Sequence, residues 1–132
     1  MREIKFRGYD IIGKKWVYGD LVHNQKVTAD GLEPRTMVGG YEVDPESVGI
    51  NTGVLDKKGN EIYVGDKIRI YDRYEDEYTE SEVVFERCVI GIRCDFDRIT
   101  SVSFFAHFYK AKQTEDDEYE IEIIGKVYHE EN

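Results

Sequence analysis

In TGVLDKKGNEIYVGDKIRI, residues 52–70, three glycines each stand within three residues of an aspartate: Gly53 and Gly59 flank Asp56, and Gly65 adjoins Asp66. Glycines and carboxylates at this density could cradle a phosphate or hold a cation. A Walker loop needs GxxxxGK[ST], and a dinucleotide loop needs GxGxxG leading into a helix. Here Gly53, Gly59 and Gly65 are spaced six apart and no helical pattern follows Gly65. The helix N-terminus that would hold the anion is therefore missing. A calcium loop of the EF-hand type needs oxygen ligands alternating from its first position, then a glycine and a distal glutamate. Lys57 and Lys58 fill the two positions after Asp56 and would repel the ion.

Other chemistry is no better supported. Zinc needs clustered Cys and His, whereas His23, His107 and His129 are scattered. Cys88 and Cys94 lie in a run of alternating apolar residues, which reads as two reduced, buried thiols that fill space. Paired carboxylates for acid–base work need an apolar setting that tunes them, and none of the 28 acidic residues stands in one. No catalytic, metal-binding or cofactor-binding residue is expected. Asp56, Gly59, Gly65 and Asp66 are assigned instead to structure: Asp56 bonds the backbone of a hairpin turn, Gly59 supplies its positive φ, and Gly65-Asp66 bends the chain.

The elements that would carry these residues repeat mostly with period two. Ile4 and Phe6 alternate with Glu3, Lys5 and Arg7, as in a half-buried strand. A turn around Gly13 leads to a strand through Trp16, Val17 and Tyr18, broken at Gly19-Asp20 and resumed at Leu21-Val22. Residues 24–35, NQKVTADGLEPR, read as a loop with a turn at Asp30-Gly31. RTMVGGYEV reads as a strand interrupted at Gly39-Gly40. In Asp44-Pro45-Glu46-Ser47 the aspartate can cap a short helical turn that starts on the proline. Ile68 and Ile70 point inward from the strand after Gly65-Asp66, as do Ile62 and Val64 before it. Val83 and Phe85 share one parity, while Cys88, Ile90, Ile92, Cys94 and Phe96 share the other, so a bulge or turn near Glu86-Arg87 is needed to bury both sets. SVSFFAHFYKA, residues 101–111, reads as a strand or, less favoured, a short helix, and Tyr119, Ile121 and Ile123 alternate inward until Gly125 interrupts.

An internal echo links DIIGKKWVYGDLV (10–22) to DKKGNEIYVGDKI (56–68), pairing Asp10 with Asp56, Gly13 with Gly59, Gly19 with Gly65 and Asp20 with Asp66. It predicts one hairpin geometry used twice. Short strands, glycine-rich turns and almost no helical period point to a small barrel or barrel-like sheet.

With 40% hydrophobic and 13% aromatic residues in 132, the chain can build a core, unlike a disordered acidic tail. No apolar run is long enough for a transmembrane helix, and MREIKFRGYD lacks a signal peptide's apolar centre. The expectation is a cytoplasmic protein without membrane contact. Its net charge of −10 is uneven: residues 1–66 carry 9 basic and 11 acidic side chains, and residues 67–132 carry 9 and 17. The acids gather in YDRYEDEYTESE (71–82) and TEDDEYEIE (114–122). Such surfaces disfavour nucleic acid, which binds by releasing counterions to cationic side chains. They read as solvated faces or as a surface that docks a basic protein, with Glu75, Asp76, Glu77, Asp116, Asp117 and Glu118 as the candidate contacts. A nucleic-acid platform would instead use Tyr9, Trp16, Tyr18 and Tyr63 beside Arg7, Lys14 and Lys15; the competing reading packs these rings into the core.

Three stretches taken together resemble the YopX family of phage and prophage proteins. They are Met1-Arg2-Glu3-Ile4-Lys5-Phe6-Arg7; Ser47-Val48-Gly49 with the signature from Thr52 to Asp66; and Ile123-Ile124-Gly125-Lys126-Val127-Tyr128. They bracket the chain in the family's order, while residues 24–43 and 71–118 carry no family pattern. The ending His129-Glu130-Glu131-Asn132 departs from the family's Asn-Pro continuation. The resemblance implies a small β fold with an SH3-like barrel. With the strand pattern and the Asp44–Ser47 turn, the expected fold is mostly β: an SH3-like barrel at 51–132, with an additional N-terminal β segment at 1–50 packed on it and one or two short helical turns. It implies an accessory protein of a phage or prophage, and no catalytic residue can be carried over from it. The function expected is a non-catalytic module that binds a host or phage protein or assembles as a homo-oligomer. A nucleic-acid-binding accessory protein and an uncharacterised enzyme are the alternatives.

Overall fold

The computed structural model describes residues 4–86, 89–93, 99–100 and 119–128. The chain is mostly β, and it forms two compact units, residues 1–51 with 128–132 and residues 52–127.

In the first unit, β1 (Phe6–Asp10) pairs antiparallel with β2 (Lys15–Gly19) through a turn over residues 11–14, closed where the Gly13 N–H donates to Asp10 Oδ1 at 2.9 Å. The other edge of β1 meets the start of β6 (Gly49–Leu55) at Phe6↔Ile50 and Arg7↔Gly49. A second sheet has the order β3 (Leu21–Thr28), β4 (Gly31–Val38), β5 (Tyr41–Glu42). Val17, Val38 and Val43 form this unit's core, with Phe6, Leu21 and Val48 packed against them.

The expected half-buried strand at Ile4 and Phe6 is corrected. Ile4 is exposed, and Arg7, Gly8, Tyr9 and Asp10 are buried in succession. Arg7 can be inside because its guanidinium carbon lies 5.0 Å from the centroid of the Trp16 ring. The loop expected over residues 24–35 is also corrected. Eight register pairs, from Leu21↔Val38 to Thr28↔Gly31, make it a hairpin with its turn at Ala29-Asp30. Because most of this hairpin is exposed, no burial pressure imposes apolar–polar alternation on it. The turn expected at Asp44–Ser47 is present as a 3-10 turn over Pro45–Ser47, with Pro45 at its start and Asp44 accepting the Glu46 N–H at 3.0 Å.

In the second unit the latter half of β6 runs beside β7 (Glu61–Tyr63). A five-stranded sheet follows in the order β11 (Ile99–Thr100), β10 (Val89–Arg93), β9 (Glu77–Glu86), β8 (Asp66–Asp72), β12 (Tyr119–Lys126). This sheet curls into a half-barrel. Ile62, Ile68, Ile92 and Ile121 are almost completely enclosed, with Val54, Ile70 and Val83 completing the core. Burying each such side chain stabilises the fold by about 2 kcal/mol.

Ile62, Ile68 and Ile70 are inside as expected, but Val64 is only half-buried and Tyr63 is enclosed. Val83 is buried while Phe85, of the same parity, is exposed. The β8–β9 register stops at Lys67↔Glu82, and Phe85 lies three residues beyond it. β9 and β10 pair antiparallel up to Glu86↔Val89. Gly125 interrupts β12 as expected: the β8 register shifts between Ile123 and Gly125, the mark of a bulge. Cys88, Cys94, Phe96 and residues 101–111 lie outside the described residues.

Candidate functional site

Asp56 is buried at the β6–β7 turn, and its carboxylate organises more than the turn. Oδ1 accepts the N–H groups of Lys58 at 2.9 Å and Asn60 at 2.8 Å. Its own carbonyl accepts the Gly59 N–H at 3.0 Å, with Gly59 at φ +85°. That conformation costs an L side chain but not glycine. The second oxygen, Oδ2, turns to the sheet and accepts the Ile123 N–H at 3.3 Å. Beside it the Lys57 N–H donates to the Ile121 carbonyl at 2.8 Å. The turn therefore occupies the outer edge of β12, which would otherwise present unpaired backbone groups. Asp66 is equally enclosed, and its Oδ2 accepts the Tyr63 N–H at 2.8 Å. Between the two aspartates, Gly65 gives its N–H to the Val83 carbonyl at 2.9 Å and accepts the Val127 N–H at 2.8 Å. The signature side chains are thus spent on backbone groups of their own unit.

The acidic runs divide. Glu120 and Glu122, at the start of β12, face cations: Arg73 lies 2.8 Å from Glu120, and Lys58 lies 3.2 Å from Glu122. These pairs, with both glutamates half-buried, leave this part of the surface mixed in sign. The turn between β8 and β9 is different. Asp72 Oδ1 accepts the N–H groups of Tyr74 and Glu75, the Tyr71 hydroxyl donates to Asp76 at 2.6 Å, and Asp76 adopts φ +53°. Aspartate tolerates that conformation better than most residues. Glu75, Asp76 and Glu77 are all exposed there, between Tyr74 (79% exposed) and Tyr78 (67%). Asp116, Asp117 and Glu118 lie outside the described residues.

The aromatic platform is largely packed. Tyr9 and Tyr63 are buried, and only Tyr18 of the four rings is exposed. Tyr9, Trp16 and Tyr128 form a triangle with ring centroids 5.4, 5.7 and 5.8 Å apart. Within the same unit the Tyr128 hydroxyl donates to Asp44 Oδ2 at 2.6 Å, across 84 positions of sequence. That bond, with burial and the nearby negative charge of Asp44 behind it, pushes the Tyr128 phenol up to about 12. The sequence flagged Asp44 as a cap and Tyr128 as part of a closing motif; their partnership had no local signal.

The sign of the linkage is set by the raised folded-state value. Stability from the Tyr128–Asp44 bond is fully present below the ordinary tyrosine range near pH 10 and is lost as the pH rises through about 12. In a spectrophotometric titration of tyrosinate absorbance, Tyr128→Phe is expected to remove a component that titrates near pH 12. A variant curve with that component intact would refute the assignment.

Among the described residues, no three His, Cys, Asp or Glu side chains come together in a group able to hold a metal ion. No helix there is long and apolar enough to cross a membrane. What the structure defines is a β protein of two compact units whose polar signature serves its turns. The family model described as YopX protein matches residues 5–132, and the chain belongs to the YopX family. Two crystal structures are similar. Protein yopX from Bacillus subtilis is 19% identical, covering 93% of this chain and 91% of that one with a TM-score of 0.48. Protein EF1440 from Enterococcus faecalis is 18% identical, covering 96% and 94% with a TM-score of 0.49. A comparison with curated proteins found no match.

Proposed function

We propose that the chain is a non-catalytic protein-binding or self-assembling module, an accessory protein of a phage or prophage acting in the cytoplasm. The observation that carries the protein-binding reading is the β8–β9 turn. It holds Glu75, Asp76 and Glu77 at the surface between two exposed tyrosines, on a backbone fixed by Asp72. Rigid, amphipathic tyrosines are favoured in protein interfaces, and the carboxylates select a basic partner by charge.

A fluorescein-labelled lysine-rich peptide and a labelled single-stranded oligonucleotide serve as probes in anisotropy titrations. The peptide is expected to bind in a salt-dependent way, and Glu75→Gln, Asp76→Asn and Glu77→Gln together are expected to weaken it by about tenfold. Removing the same number of charges at Asp30, Glu33 and Glu46 is expected to have a smaller effect. Equal effects of the two triple variants would reduce the turn to ordinary surface charge. Salt-dependent binding of the oligonucleotide in place of the peptide would overturn the reading in favour of nucleic acid.

A further inference from the structure

The β3–β4 hairpin has two unlike edges. The Gly39 N–H donates to the Asp20 carbonyl at 3.1 Å, and the Val43 N–H donates to the Thr36 carbonyl at 3.0 Å. Because bonding alternates along an antiparallel pair, the even-numbered residues of β3 bond β4. The backbone groups of His23, Gln25 and Val27 then point away from it. On β4 the outward positions are Leu32, Pro34, Thr36 and Val38. The β4 edge is protected: Pro34 has no N–H to offer, and β5 covers Val38. The β3 edge has no such cover among the described residues. It ends its sheet there, contains no proline, and its single lysine, Lys26, is turned to Glu42 at 3.0 Å. At the tip, the facing pair Val27 and Leu32 is 83% and 64% exposed. A long, two-stranded arm exposed in this way is marginal by itself.

We propose that the β3 edge pairs antiparallel with β3 of a second copy of this chain, across a two-fold axis at Asn24. This rests on the self-assembling form of the reading above and is independent of the acidic turn. The pairing joins His23 to Gln25 of the second copy through the outward-pointing backbone groups of both strands. It also sets Leu21 opposite Val27 twice. One face of the joined sheet then carries a continuous apolar row of Leu32, Val27, and Leu21 and Val38 of the second copy. Lys26 falls opposite Val22 of the second copy, so no like charges face each other. Charge favours this occupant as well. Two cations, Lys26 and Arg35, balance two anions, Asp30 and Glu33, within residues 21–38, while the whole chain carries −10. Two copies therefore meet at a neutral surface, where their mutual repulsion is least.

Sedimentation velocity across a concentration series tests the proposal on the full chain. The wild type is expected to reach twice the monomer mass. Gln25→Pro, which removes an outward N–H and leaves the bonds to β4 in place, is expected to weaken the dimer at least about tenfold. A Trp16 fluorescence melt that stays cooperative shows that the fold survives, with any lowered midpoint attributed to loss of the partner. In a Cys88→Ala, Cys94→Ala background, Asn24→Cys is expected to form an intermolecular disulfide. The two copies of position 24 would face each other as a non-hydrogen-bonded pair with Cα atoms about 4.5 Å apart. Thr28→Cys is expected to form none. A wild type that stays monomeric at every concentration overturns the proposal. So does a dimer indifferent to Gln25→Pro that cross-links equally at both positions. Protection of the β3 amides only on adding a different protein overturns the second-copy assignment. Neutralising Glu75, Asp76 and Glu77 is expected to leave the dimer intact, so failure of acidic docking and failure of self-pairing are read separately.

Discussion

Asp56→Ala is expected to cost about 3 kcal/mol, because several backbone N–H groups lose a charged acceptor at once. For a unit of this size that corresponds to roughly 15 °C in melting temperature. The Lys58 and Asn60 amides lie in an exposed turn and can turn to water. The Ile123 amide cannot do so as cheaply, since its strand is half-buried and lies under the turn. Asp56→Asn separates these contributions. One oxygen still serves Lys58 and Asn60, but an amide NH2 now meets the Ile123 N–H, donor against donor. The asparagine variant is expected to fall about midway between wild type and alanine, with faster hydrogen exchange at Ile123. Chemical denaturation followed by far-UV circular dichroism measures the first effect, and exchange at single residues measures the second. An alanine variant that melts with the wild type would remove Asp56 from its place as organiser of the unit.

The second large effect is expected at Gly39, in the turn between β4 and β5. A Cβ there would lie 2.4 Å from the Tyr18 carbonyl oxygen, and the residue sits at φ +59°. The obstacle is backbone, which cannot swing aside as a flexible side chain would. Gly39→Ala is therefore expected to cost about 3 kcal/mol, the sum of a left-handed conformation and an overpacked contact. Gly40→Ala is the internal comparison. Its φ is +90°, but a Cβ would meet nothing within 4 Å, so only the conformational part remains, about 1 kcal/mol. Trp16, the single tryptophan, lies in the same unit and reports its unfolding by fluorescence. Equal costs at Gly39 and Gly40 would show that β2 yields to the added methyl group.

Both effects bear on the echo between residues 10–22 and 56–68. Asp10 and Asp56 each close a hairpin turn by accepting N–H groups from the residues that follow. Yet Asp56 has a second partner in Ile123, from a strand 67 positions away. The expected single geometry is corrected all the same: Gly59 sits at φ +85° and gives its N–H to the Asp56 carbonyl, whereas the Gly13 N–H goes to the Asp10 carboxylate and the positive φ falls on Lys14, at +54°. The sealing of the β12 edge depends on what the fold brings alongside, and no pattern in DKKGNEIYVGD encodes it.

What the sequence determined by itself is the local chemistry and the family. Asp44-Pro45 starting a short turn, Asp56 and Gly59 closing a hairpin, and Ile62, Ile68, Ile70 and Ile121 facing inward all follow from interactions within a few residues or from strand alternation against a core. The tertiary structure alone decided where those rules fail. Arg7 is buried because the Trp16 ring receives it. Phe85, three residues past the last β8–β9 register pair, is exposed while Val83 of the same parity is buried. Residues 24–35 form an arm whose pairing, without a core beneath it, leaves no alternation to read. Tyr128 meets Asp44 only because the end of the described chain returns to the unit where it began. Each of these outcomes depends on a neighbour remote in sequence, and short-range propensity carries no term for such a neighbour.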